Sequence, residues 1–175
     1  DNHISGPTSQ SNSSSEVPVG IAPSTSPQDL EKKLLLTDLS DGERESTASA
    51  LAGSLGYDKA CAELNKLRNE NPGASGDRAS FELAKAIVGL TGKNTCGVLH
   101  VAKSFIFGWG TAKSYDAALA ALDGVDNDVA DVKYWKGYIF LLYDYSGKDK
   151  SKARELLEEA KNGGIMAAGD LLSKL

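Results

Sequence analysis

The spacing of apolar residues predicts helices along most of the chain. In residues 132–164 two apolar stripes follow one another, the first made of Tyr134, Gly137, Phe140 and Leu141 and the second of Ala153, Leu156, Leu157 and Ala160. Steps of three and four residues place side chains on one side of an α-helix. The segment therefore predicts a helical hairpin with a short polar turn. Because one hairpin cannot bury its own stripe, it has to stack on similar neighbours.

The same pattern predicts an all-α chain with eight or nine helices. Ser26 before Pro27 and Ser40 before Glu43 are typical helix starts, because their hydroxyl groups can accept from free backbone N–H groups. Turns rich in Gly, Pro and Asn separate the elements. The predicted helices start at Ser26 and Ser40 and continue as 58–70, 77–90, 95–107, 115–122, 129–144, 150–161 and 165–175.

The first 28 residues have a different composition from the rest. They are rich in Ser, Pro, Gly, Asn and Thr and contain no Lys or Arg. Such a segment has too few large apolar side chains to offset the entropy of ordering, so we expect a disordered tether (1–28) before a folded domain (29–175). The tether resembles the segment that follows the lipidated cysteine of a bacterial lipoprotein, and an ordinary disordered terminus is the alternative. Because the chain starts at Asp1 without Met, we expect that a leader was removed, by processing or by the choice of expressed segment.

Composition and charge limit the classes of partner that the chain can be expected to bind. The chain has 41% hydrophobic residues, 25% charged residues and a net charge of −5. Its longest apolar run, residues 138–143, is far shorter than the roughly 20 residues that cross a bilayer. No helical face collects Lys and Arg, which argues against nucleic acid as a partner. Membrane contact is expected only through a removed N-terminal lipid anchor.

Parts of the helical pattern recur along the chain. The residues Ala102, Phe105, Gly108 and Gly110 have counterparts 35 residues later in Gly137, Phe140, Tyr143 and Tyr145. A weaker copy consists of Ala79, Leu83, Ala84 and Ile87. A small residue one turn before an aromatic residue lets two helices approach closely while the ring fills the space beside them.

These residues resemble the Sel-one-like repeats (SLR), which are relatives of the tetratricopeptide repeats (TPR). The matching positions are Gly137, Phe140, Asp149, Lys152, Ala153, Leu156, Ala160 and Gly164, with Ala168 opening the next repeat. The resemblance covers about residues 48–175. It implies an α-solenoid of antiparallel helix hairpins in a right-handed superhelix, which binds proteins or peptides on its concave face. Two departures are the turn at residues 143–146, which lacks the family's glycines, and an odd number of helices between Asp58 and Gly110.

The sequence offers little catalytic chemistry. His100 is the only histidine of the predicted folded domain, and the chain contains no nucleophile elbow, no paired histidines of a metal site and no phosphate-binding loop. We therefore predict no catalytic residue, no metal and no cofactor. The alternative is an envelope hydrolase with an unrecognised site that uses Glu82 or His100.

The two cysteines, Cys61 and Cys96, lie on different predicted helices. Free buried cysteines are common as small apolar side chains. If the tether indicates export, an even number of cysteines in an oxidising compartment favours one disulfide. Related solenoids also use such bridges between packed helices. Both readings stay open at this point.

A partner-binding surface follows from the resemblance. In the family pattern the positions of Tyr134, Gly137 and Phe140 pack against the neighbouring helices. A second stripe of the same helix therefore points away from these contacts and can form a surface. The predicted surface contains Trp135, Tyr138 and Leu142, with His100, Lys103 and Phe107 from the preceding copy and Glu82 and Lys85 from the weaker one. The alternative is that Trp135 and Tyr138 pack against the last helix near Leu171.

The function that we predict is a non-enzymatic protein–protein interaction module. We expect it to be exported, periplasmic and tethered as a lipoprotein. An immunity protein that neutralises a secreted bacterial toxin fits this description, and so does a scaffold of a cell-envelope assembly. The sequence does not identify the protein partner or the oligomeric state.

Overall fold

The computed structural model describes residues 25–90 and 95–175, and within these ranges the chain forms nine helices and no strand. The all-α prediction is confirmed. The predicted tether lies almost wholly outside the described residues. The helices are α1 (Pro27–Leu34), α2 (Asp41–Leu55), α3 (Tyr57–Glu70), α4 (Ala74–Leu90), α5 (Thr95–Phe107), α6 (Tyr115–Asp123), α7 (Ala130–Leu141), α8 (Lys150–Asn162) and α9 (Met166–Leu172).

Side-chain caps fix several helix starts. Ser40 and Glu43 form a reciprocal capping box at α2, in which Ser40 Oγ accepts from the Glu43 N–H at 3.3 Å and Glu43 Oε2 accepts from the Ser40 N–H at 3.0 Å. Asp149 caps α8 by accepting from the N–H groups of Ser151 and Lys152. These caps satisfy backbone donors that have no partner inside a helix.

Consecutive helices pack against each other along the chain, and α2 also packs against α4. The buried apolar residues form three clusters. The first cluster contains residues of α1, α2, α3 and α4, and the second contains residues of α5, α6 and α7. The third contains residues of α8 and α9 together with one side of α7. Among the described residues, no helix is both long enough and apolar enough to span a membrane.

The α7–α8 hairpin packs closely because of a glycine. Gly137 is buried in α7, and a Cβ atom at this position would lie 2.9 Å from Leu157 Cγ and 3.3 Å from the carbonyl oxygen of Ala153. Ala153, Leu157 and Ala160 of α8 are themselves fully buried. The absence of a side chain at Gly137 thus allows the two helix backbones to approach each other.

The end of α7 differs from the sequence-based prediction. The helix ends at Leu141, and Leu142 has extended backbone angles (φ −64°, ψ 128°), whereas the pattern predicts a helix to residue 144. The Tyr145 ring turns back towards Phe140, with 6.2 Å between the ring centroids. Leu142 continues the apolar pattern of α7 without continuing the helix, because it packs on the second core cluster from a turn.

Candidate partner-binding surface

Three aromatic residues of the predicted surface come together between α5 and α7. Phe107, at the end of α5, lies 5.9 Å from Trp135 and 6.2 Å from Tyr138, measured between ring centroids. Trp135 and Tyr138 lie one turn apart on α7, with centroids 5.5 Å apart. All three side chains are half-buried. Trp135 meets both other rings edge to face, an arrangement that aromatic pairs prefer.

A fourth ring belongs to this group, and the sequence analysis did not assign it. Trp109 stacks on Phe107, with 4.9 Å between their centroids. We use the name aromatic surface for Phe107, Trp109, Trp135 and Tyr138. The sequence signal for Trp109 is its place between Gly108 and Gly110, two residues after Phe107, which by itself indicates a helix end.

The turn after α5 holds Trp109 against the beginning of α4. Gly108 and Gly110 have positive φ angles of 78° and 68°, which side chains of L residues rarely adopt. A Cβ atom on Gly110 would lie 2.5 Å from the carbonyl oxygen of Asp77, so this turn needs glycine for close contact as well. The Arg68 guanidinium lies 3.4 Å from the centre of the Trp109 ring and donates to Asp77 at 2.8 Å.

Lys103 lies beside the aromatic surface. Its Nζ atom lies 5.6 Å from the centre of the Trp135 ring, and its side chain is half-buried. Burial is the main reason why the pKa of this ammonium group is lowered, and the charge of Arg68 lowers it further while that of Asp131 opposes the shift. In the described residues, no carboxylate lies within salt-bridge distance of Lys103.

His100 lies below the aromatic surface rather than on it. Its side chain is only 5% exposed, its ring centroid is 6.2 Å from that of Trp109, and its Nε2 atom is buried without a hydrogen-bond partner. Burial, together with the nearby charges of Lys103 and Arg68, lowers the pKa of His100 to about 4. A neutral, buried imidazole can support the rings above it, but it is not accessible to a protein partner.

Two polar groups of the aromatic surface reach the solvent. The indole N–H of Trp135 and the hydroxyl of Tyr138 make no hydrogen bond to any described residue. Among the described residues, the buried side-chain N and O atoms without a hydrogen-bond partner are Arg44 Nε, His100 Nε2 and Ser104 Oγ. The Trp135 and Tyr138 groups are not among them, so they are not buried. Both are therefore available to a hydrogen-bond acceptor on another molecule.

The remaining predicted surface residues lie elsewhere. Glu82 and Lys85 form an ion pair at 2.7 Å and line a depression of about 320 Å³ between α2 and α4, which none of the four rings lines. Leu142 lies beyond the end of α7 and packs, half-buried, against the second core cluster. Trp135 and Tyr138 pack against that same cluster, whereas Leu171 packs against the third. The structure thus separates Glu82 and Lys85 from the aromatic surface.

Cys61 of α3 and Cys96 of α5 are joined by a disulfide, with 6.1 Å between their Cα atoms. The bridge connects residues that are 35 positions apart. It ties the first turn of α5 to the middle of α3. The helix that carries Lys103 and Phe107 is thereby fixed at its N-terminal end.

The described residues contain no group of three His, Cys, Asp or Glu side chains placed to hold one metal ion. Glu82 and His100, the residues of the hydrolase alternative, are not combined into one site, because Glu82 is paired with Lys85 and His100 does not line the depression that Glu82 lines. Among the described residues, no hydroxyl or thiol group makes a hydrogen bond to Glu82 or to His100 Nε2.

Comparison with models of known protein families, with curated proteins and with solved structures finds no match to this chain.

Proposed function

We propose that this chain is a non-enzymatic protein-binding module whose partner docks on the aromatic surface. The observation that carries the proposal is the meeting of Phe107 with Trp135 and Tyr138, from two successive hairpins, in one half-buried group. Trp and Tyr are the side chains most often found as energetic hot spots of protein interfaces. They combine a large apolar ring with a polar group, and here that polar group faces solvent.

We propose further that the helices form a right-handed solenoid of SLR type. Two features support this. Ala102 of α5 and Gly137 of α7, which are 35 residues apart, are both buried, and α5–α6 and α7–α8 are both packed helix pairs. In such a solenoid the first helices of successive repeats line one surface, which agrees with the contact of Phe107 with α7.

The proposed location is the periplasm or another exported compartment, with a lipid tether at the N-terminus. The Cys61–Cys96 disulfide supports export, because disulfides persist in oxidising compartments. The biological role that we propose is that of an immunity protein which neutralises a secreted toxin, and a scaffold of an envelope assembly is the alternative. A toxin-like lipase or hydrolase encoded next to this chain would favour the first role.

The test is site-specific photo-crosslinking in cells that produce the protein. A photoreactive phenylalanine analogue replaces Trp135 in one variant and Glu158, on the exposed face of α8, in the control. We expect a defined protein adduct from position 135 that position 158 does not give. Equal adducts from both positions, or none from position 135, contradict the proposed surface.

The crosslinked partner then allows affinities to be measured. Trp135→Ala and Tyr138→Ala are expected to weaken binding by about 30-fold each, which corresponds to roughly 2 kcal/mol per hot spot. Tyr143→Ala is the matched control, because Tyr143 is 87% exposed and lies outside the aromatic surface. Melting temperatures are measured in parallel. Unchanged affinity together with a large fall in melting temperature means that the rings act only as core residues.

A further inference from the structure

Lys103 stands apart from the other half-buried lysines of the described residues. Lys133 pairs with Glu159 and Asp128, and Lys136 pairs with Asp123. Lys103 is half-buried to a similar degree, yet no carboxylate of the described residues pairs with it. A cation that has lost part of its hydration usually gains an acidic partner in compensation.

The contacts that Lys103 makes within the described part of the chain do not include an ion pair with an acidic group. Its ammonium group lies 5.6 Å from the Trp135 ring centre, which is close to the outer limit for a cation–π contact. Asp131 contributes only through its charge at longer range. Arg68, the other nearby cation, already has Asp77 as its partner. Lys103 is thus the cation at the aromatic surface whose charge is not matched by a direct ion pair.

This arrangement places an unpaired cation beside solvent-facing aromatic groups. A carboxylate brought to Lys103 would form a charge-assisted hydrogen bond in partly desolvated surroundings, where such bonds are stronger than on an open surface. An apolar side chain next to that carboxylate would reach the Phe107 and Trp135 rings. The indole N–H of Trp135 could donate a hydrogen bond to a carbonyl oxygen of the same segment.

We propose that the partner segment bound by the aromatic surface is an acidic peptide, with a carboxylate on Lys103 and a neighbouring apolar or aromatic side chain on Phe107, Trp135 and Tyr138. This rests on the proposed protein-binding function. The net charge of the whole chain is −5, so general attraction of acidic molecules is not the source of the preference. The preference is local and depends on one side chain.

The experiment uses two short peptides of nearly equal shape, N-acetyl-Asp-Phe-amide and N-acetyl-Asn-Phe-amide. Each is titrated into the full, disulfide-bonded chain labelled with ¹⁵N, and the indole N–H resonance of Trp135 reports binding. We expect the Asp peptide to bind about fivefold more tightly than the Asn peptide at low salt, the size of a partly exposed ion pair. The difference is expected to shrink as salt is raised.

Two variants test whether Lys103 causes the preference for the Asp peptide. Lys103→Gln is expected to abolish the preference for the Asp peptide while the ring-dependent binding of both peptides remains. Lys152→Gln is the matched control, because Lys152 also lies over an aromatic ring, that of Phe140 at 4.5 Å, and its loss changes the net charge equally. This control is expected to keep the fivefold preference.

Three results overturn the proposal: equal binding of the two peptides, a preference that survives Lys103→Gln, and the absence of any shift of the Trp135 indole resonance with either peptide. None of these decides the protein-binding function itself. That function is judged separately by the crosslinking from position 135. A crosslinked partner together with equal peptide binding would leave the docking surface in place and remove the acidic specificity.

Discussion

The close approach of α7 and α8 predicts the effect of one added methyl group. In Gly137→Ala the new Cβ atom would lie 2.9 Å from Leu157 Cγ, 3.1 Å from Leu157 Cδ2 and 3.3 Å from the carbonyl oxygen of Ala153. The first of these distances is too short for two carbon atoms, which prefer about 3.5–4.0 Å. Leu157 is fully buried and has little space in which to turn away. Part of the strain must therefore move the backbone of α8.

Two opposing contributions determine the free energy of unfolding of this variant. Alanine inside a helix is favoured over glycine by about 1 kcal/mol. Overpacking of a well-packed core costs about 1–3 kcal/mol. Since the shortest contact involves a branch-point carbon and a backbone atom lies close behind it, we expect the cost to exceed the gain. The net loss is about 1 kcal/mol, which lowers the melting temperature by about 2–4 °C.

The assay is urea unfolding followed by circular dichroism, with Gly53→Ala as the control. Gly53 also lies inside a helix, but a Cβ atom there would meet no atom within 4 Å. We expect Gly53→Ala to raise the free energy of unfolding by about 0.5–1 kcal/mol. The two alanine substitutions should thus change the stability in opposite directions.

A double variant tests the assigned contact directly. Leu157→Ala alone should cost about 2–5 kcal/mol, because it removes a fully buried side chain. In Gly137→Ala/Leu157→Ala the added methyl group enters the space that Leu157 leaves. The double variant should therefore lose about 1 kcal/mol less unfolding free energy than the two single variants lose together. Additive losses, or stabilisation by Gly137→Ala equal to that of Gly53→Ala, would refute the reasoning.

Three other predictions concern the region around α3 and α5. Denatured, unreduced protein should show no free thiol from Cys61 or Cys96, and replacing both by Ser should cost about 3–4 kcal/mol in the chain-entropy model, measured by urea unfolding. The pKa of His100 is lowered to about 4, below its unfolded value of 6.5, so between these values the unfolded chain binds the proton and the folded chain does not. Stability should therefore fall as the pH drops from about 6.5 to 4, by up to about 3 kcal/mol, and the slope should be smaller in His100→Gln; equal slopes would contradict the burial argument. Arg68→Ala should lower the free energy of unfolding by about 1–2 kcal/mol, because it removes the cation from the Trp109 ring and one partly buried ion pair, and a loss no larger than that of an exposed arginine such as Arg154 would show that neither contact stabilises the fold.

The start of α2 was predictable from the sequence. The Ser40 and Glu43 pair predicts the capping box, and the structure shows both of its hydrogen bonds. Capping depends on residues only three positions apart, so the sequence contains the whole signal. The end of α7 was less predictable, because Leu142 matches the helical period although it packs from a turn. Periodicity records which residues are buried but does not show where the backbone leaves the helix.

The candidate surface was predictable only where its residues lie on one helix. Trp135 and Tyr138 are one turn apart, so their proximity follows from helix geometry. The position of the Trp109 ring involves a contact with Arg68, which is 41 residues away in the sequence and lies on another helix. The alignment of repeats predicts His100 on the surface, but the structure buries it, with its ring 6.2 Å from that of Trp109 in the turn that follows α5.

The helix that carries Lys103 and Phe107 is held at both of its ends by the same neighbour. The disulfide joins Cys96, in the first turn of α5, to Cys61 of α3, and Arg68, about 10 Å further along α3, covers the Trp109 ring just after α5 ends. α5 and the turn that follows it are thus attached to α3 at two points. The Phe107 and Trp109 rings lie near the second of these points. If the proposed partner docks on the aromatic surface, a surface held in this way would lose little conformational entropy on binding.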